Sequence, residues 1–149
     1  MRNVAAFALV ILPASVAPAQ ATGGFWCKAQ DQTLTFSVSA AAPRSGGRLL
    51  NLKARLQVTD ETAPKDLRAF EFKRDDLIQH SLDGREGGSL KLHFHRGGTA
   101  KASFEGVRLI IDAPAVDEGK FEGRYALTVE RKGPTDPFEA SGSVSCSAD

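Results

Sequence analysis

Cysteine is scarce in this chain: 149 residues contain two, Cys27 and Cys146, with none between them. That scarcity leaves no multi-cysteine zinc cluster and no C-x-x-C redox pair. Long apolar runs are missing too. The longest, Val4 to Leu12, spans nine residues, far short of the roughly 20 a membrane helix needs. Neither sign of charge is in excess, with 19 Lys and Arg against 18 Asp and Glu. No basic run suits nucleic acid or an anionic membrane surface. No glycine-rich phosphate loop precedes a helix, and no G-x-S-x-G elbow appears. Internal repeats, low-complexity tracts and interdomain linkers are likewise missing.

The first residues have the layout of a secretory leader. Arg2 is followed by the short apolar run, Pro13 breaks it, and Ala19-Gln20-Ala21 offers small residues where a signal peptidase reads. Residues 1–21 are therefore expected to be a cleaved signal peptide and residues 22–149 a single all-β domain. Cys27 lies beyond the expected cut rather than directly after the apolar run, which argues against lipidation. Removing Arg2 leaves eighteen cations facing eighteen carboxylates. The expected location is periplasmic or secreted, with no stable membrane insertion after cleavage. In such an oxidising space an even pair of cysteines is expected to be bonded. A Cys27–Cys146 disulfide would join the first strand to the last.

What the chain does have is alternation. In LTFSVSA, Leu34, Phe36, Val38 and Ala40 share one face; in LLNLKARLQVT, Leu50, Leu52, Ala54, Leu56 and Val58 do. Leu90, Leu92 and Phe94 form a further inward set, as do Phe121, Tyr125, Leu127 and Val129, and Phe138, Ala140, Val144 and Cys146. A strand turns successive side chains to opposite faces, so each run has one dry and one wet side, as in antiparallel sheets. KASFEGVRLIID breaks phase at Gly106, between Phe104 and Val107, which predicts a β-bulge, or alternatively two short strands with a kink. Residues 64–84 read as two strands, Phe70 and Phe72 marking the first; a short helix capped at Asp75 or Asp76 is the alternative. The fold class is all-β: an antiparallel sandwich or up-and-down barrel of seven to eight strands.

The mature start, FWCKAQDQTLTFSV, loosely resembles the opening strand pair of the small periplasmic barrels that inhibit lysozyme, with an aromatic-x-Cys start, a polar turn and an alternating strand. The likeness covers about a tenth of the chain. The family's inhibitory Ser-Gly…Tyr loop has no counterpart here, so no functional residue carries over.

Chemistry-bearing residues are few. His93 and His95 share a strand face, and His80 is the only other histidine; together they are the candidate ligands of a weak metal site. Asp112, Asp117, Glu118 and Glu122 are the candidate acid/base carboxylates of a hydrolytic enzyme. No serine is paired by pattern with a base or an oxyanion hole. Trp26 falls off the inward parity of Phe25 and Cys27 and is the candidate interface residue. With no catalytic residue nominated and no cofactor implied, the expected role is a non-catalytic binding or protein-interaction module. Its partner would be a protein, an envelope polymer or a small apolar ligand.

Overall fold

The computed structural model describes residues 22–43 and 47–149. The leader expected over residues 1–21 lies outside these. Among the described residues nine strands form one antiparallel sheet: β1 (Thr22–Gln30), β2 (Leu34–Pro43), β3 (Leu50–Val58), β4 (Phe70–Phe72), β5 (Leu77–Leu82), β6 (Ser89–Gly97), β7 (Phe104–Asp117), β8 (Lys120–Arg131) and β9 (Phe138–Ala148). Their lateral order is β4-β3-β2-β1-β9-β8-β7-β6-β5. The sheet curls into a nearly closed barrel, which decides between the two expected architectures.

The strand count and the barrel geometry are reconciled by β4 and β5. β3 and β6 both run toward the end of the barrel that carries the β1–β2 turn, here the lower end. β4 is antiparallel to β3 and β5 is antiparallel to β6, so β4 and β5 run the same way. They are two halves of one interrupted stave: β4 pairs with β3 low in the barrel, and β5 pairs with β6 from Phe94 upward. Between them the chain crosses the gap in a single 3-10 turn, Arg74–Asp76. Nine strands thus occupy eight staves. The alternative of a capped helix survives only as this turn, with Asp76 accepting the Lys73 N–H at 2.5 Å.

Alternation places the core. Phe25, Cys27, Leu34, Phe36, Val38, Ala54, Leu56 and Val58 face inward from β1–β3 and are buried, as are Leu90, Leu92, Phe94, Phe121, Tyr125, Leu127 and Val129 from β6 and β8. Phe72 and Phe94 ring centroids lie 5.0 Å apart, and Phe36 meets Phe94 edge-on at 6.4 Å. Such aromatic contacts fill the barrel axis. No polar or charged residue is buried among the described residues. The lower end is plugged by the loop after β3, whose Ala63 and Leu67 are buried. Asp66 in this loop accepts hydrogen bonds from the Ser103 N–H and hydroxyl at 2.6 and 2.7 Å.

The bulge at Gly106 is present: the β7–β8 register shifts between Phe104 and Gly106, and Phe104 and Val107 both face inward. Closure is made by β9 and β1 over four residue pairs, from Phe25↔Ala148 to Lys28↔Ser145. Cys27 and Cys146 are directly opposed in that ladder and disulfide-bonded, with Cα atoms 4.0 Å apart.

Candidate functional site

Buried side chains occupy the barrel interior, and the outer face of β1, β2 and β3 has a defined relief. The register sets two rungs across the strands. One runs Ser147–Trp26–Ser39–Lys53, and the next runs Ser145–Lys28–Ser37–Arg55–Glu71. Each outward position is dictated by parity: the inward neighbours of these residues are Cys27, Val38 and Ala54, all buried. The middle strand, β2, carries only serine on these rungs, while β1 and β3 carry long side chains. Short floor and tall walls make an open trough of about 270 Å³ lined by Trp26, Lys28, Ser37, Ser39, Lys53 and Arg55. It runs on past Ser37 and Arg55 into a second depression of about 480 Å³, reaching Thr35, Gln57, Arg68 and Glu71.

Trp26 is 49 % exposed, a large apolar ring standing on a polar face. Lys28, Lys53 and Arg55 make no ion pair or side-chain hydrogen bond among the described residues; the ion pairs lie elsewhere. On the opposite outer wall, charges are matched across strands: Lys91 with Asp112 at 3.5 Å, Arg108 with Glu130 at 3.8 Å and Lys120 with Asp117 at 3.6 Å. Among the described residues one wall therefore carries three cations outside any ion pair, with Glu71 opposite Arg55 on β4, and the other wall carries paired charges.

The structure does not bring the three histidines together. His93 and His95 share the outer face of β6, but Gln79 is the residue opposite His93, which puts His80 opposite the inward-facing Leu92. His80 Nε2 instead lies 3.0 Å from the Gly47 carbonyl oxygen. A carbonyl only accepts, so the proton of that bond is on Nε2. Among the described residues no three His, Cys, Asp or Glu side chains form a metal-binding group. Burial, with Arg108 and His95 nearby, holds the His93 pKa below the ordinary imidazole value.

The four candidate carboxylates do not share a cleft. Asp112 pairs with Lys91 on β6, and Glu122 lies opposite Ser145 on β9. Asp117 ends β7 and Glu118 lies in the β7–β8 turn, beside a depression of about 610 Å³ that also takes in Arg85 and Val116. Arg85 there is held by Asp83 at 2.9 Å, which pulls the Asp83 carboxyl down to about 2.

The titratable group most altered by the fold is Tyr125. It is 1 % exposed, and its hydroxyl donates to Asp31 Oδ2 at 2.5 Å. Burial, then this bond and the carboxylate charge, push the phenol well above its usual value. Burial works to raise Asp31 as well, but the bonds from Tyr125, Leu34 N–H and Thr33 N–H outweigh it and the net direction is down. The pair joins the β1–β2 turn to β8 beneath the short β1–β9 ladder.

Sequence reasoning singled out Trp26 but not Lys28, Lys53 and Arg55. Parity already gave Lys53 and Arg55 an outward face. What the linear pattern does not carry is that one strand of serines separates them from Trp26 and Lys28. Comparison with protein-family models, with curated proteins and with solved structures finds no match to this chain.

Proposed function

We propose that this protein is an exported, non-catalytic binding module that recognises its target through the outer face of β1, β2 and β3. The observation that carries this reading is the exposed Trp26 set beside three unmatched cations over a serine floor. Tryptophan and arginine are the residue types that most often anchor interfaces. Desolvating an unmatched cation is favourable only when a partner supplies the opposite charge, so the trough is arranged for an anionic surface. Export is supported by the leader pattern over residues 1–21 and by the disulfide, a bond that persists in oxidising compartments.

Two measurements test the reading. Mass spectrometry of protein recovered from the producing cell should find a mature chain starting at Thr22 in the periplasm or medium. Intact Met1 in the cytosol would defeat the export claim. Isolated cell envelopes should cosediment the mature protein and change the emission of Trp26, the only tryptophan of the chain. A Lys53→Glu/Arg55→Glu variant should lose that sedimentation. Undiminished cosedimentation of the variant would remove this face from recognition.

A further inference from the structure

We propose that the trough takes a linear acidic polysaccharide, a chain of sugars bearing carboxylate groups. This rests on the binding reading above and names its ligand class. Four features carry it.

The first is width. The walls are adjacent but one in the sheet, so their backbones stand about 10 Å apart. One extended polymer chain fits between them and a nucleic-acid duplex does not. The second is the floor. Ser37 and Ser39, with Thr35 beyond, offer hydroxyls that both donate and accept, and so complement a hydroxyl-rich chain. The third is Trp26, whose exposed ring can lie against the C–H face of a sugar. The fourth is charge. Lys28 and Arg55 occupy one rung and Lys53 the next, about 7 Å along the strands, so cations recur along the groove as carboxylates recur along the polymer. The Arg55 guanidinium matches a carboxylate fork.

An acidic peptide fits less well. Peptides dock by adding to an open strand edge or by filling apolar pockets, whereas β2 is paired on both sides and Trp26 is the one large apolar side chain of the trough. A lipid surface would need an apolar rim that the trough does not have.

The test uses the oxidised mature chain and three probes: oligogalacturonate, alginate oligosaccharide and hyaluronan oligosaccharide, each beside its carboxyl-methylated form. Binding is read from Trp26 emission and by calorimetry. At least one free acid should bind saturably at low salt, with its methyl ester at least about tenfold weaker. Raising ionic strength toward 1 M should weaken it further, because the contacts are exposed. Lys53→Gln and Arg55→Gln should each weaken binding about three- to tenfold, and Trp26→Ala by more than tenfold, with melting temperatures unchanged because all three side chains lie outside the core. Equal binding of free and esterified forms overturns the acidic-ligand claim. Failure of all three free acids also overturns it. If envelope cosedimentation still depends on Lys53 and Arg55 in that case, the face is retained as the recognition surface and only the ligand class falls.

Discussion

Tyr125 is the only tyrosine of the chain, so its ionisation can be followed alone. Inside the barrel its hydroxyl is sealed against the Asp31 carboxylate. The unfolded phenol titrates near pH 10, and the folded one above that. Between those limits the folded state binds more protons than the unfolded state, so stability falls as pH rises past about 10. A pH titration should show tyrosinate absorbance appearing together with loss of circular dichroism, in one step. Ionisation at pH 10 with the fold intact would show that the ring is not sealed. Asp31 has the opposite sense: its folded pKa is depressed, so its stabilisation is present above the unfolded carboxylate value near 3.9 and is lost as pH falls through the lower folded value. Gly142 is required by the same pair. A Cβ there would sit 2.6 Å from Tyr125 Cε1 and 2.5 Å from Asp31 Oδ2. Gly142→Ala should cost roughly 1–3 kcal/mol in denaturant melts, the usual range for overpacking. Gly106 is the contrast. Its φ is not positive, and a Cβ would meet the movable Glu130 carboxylate at 3.3 Å. Gly106→Ala should therefore cost no more than about 1 kcal/mol, since the bulge is set by inward Phe104 and Val107 rather than by glycine. Parity alone placed Tyr125 inward and located that bulge. The partnership with Asp31, 94 residues away, has no local signature.

The interrupted stave is where element-level reading was hardest, because its two short halves each lack a full ladder. Hydrogen bonds from side chains replace the missing backbone bonds. Above the crossing, Arg74 donates to the Leu49 carbonyl at 2.7 Å and His80 bonds to Gly47. Below it, Arg96 continues the inward register of β6, lies 4.7 Å from the Phe70 ring centroid and pairs with Asp76. Asp76 thus caps the 3-10 turn and neutralises Arg96 at once, and both side chains are largely shielded, at 13 % and 24 % exposure. This gives a specific expectation for Asp76→Asn. The amide still fits, but Arg96 loses its counter-charge in a partly dry site. The loss should be roughly 1–3 kcal/mol in urea melts, with hydrogen exchange accelerating first in β5. An unchanged midpoint would mean that water already satisfies Arg96. The PKDLRAFEFKRDDLIQHSLDG stretch was ambiguous because Asp75 and Asp76 read as a helix start and the Phe70-Phe72 alternation as a strand. The strand reading holds for both halves, Phe70–Phe72 and Leu77–Leu82, and Asp75 and Asp76 close a three-residue 3-10 turn rather than open a helix. The clear element was β8, where burying Phe121, Tyr125, Leu127 and Val129 leaves no competing register; β3 keeps its expected parity from Ala54 to Val58, but Leu50, expected inward, is exposed beyond the register shift between Ser39 and Ala41.

At the scale of the molecule, the first and last strands are joined by a short ladder. β1 and β9 share four residue pairs, whereas β8 and β9 share ten. The disulfide sits inside that short seam and ties residues 119 apart in sequence. Chain-entropy reasoning gives a loop of that length about 4–5 kcal/mol, and removal of native disulfides typically costs about 2–5 kcal/mol. The even pair of cysteines at the two ends made this bond legible from the start. The trough was not legible, because it exists only once β1 lies beside β2 and β2 beside β3. Yet the two are coupled: Trp26 and Lys28 flank Cys27 on β1 and form one wall of the trough. Cys27→Ala/Cys146→Ala should lower stability by roughly 2–5 kcal/mol. Amide exchange should rise first at residues 25–28 and 145–148, before the β7–β8 hairpin responds. Under conditions where the variant remains folded, freeing β1 should also weaken envelope cosedimentation and reduce the emission change of Trp26, because the wall is no longer held against Lys53 and Arg55. A reduced protein that melts like the oxidised one would show that β1 and β9 hold without sulfur. One that melts lower yet binds as well would show that recognition does not depend on the position of β1, and the trough would lose its first wall.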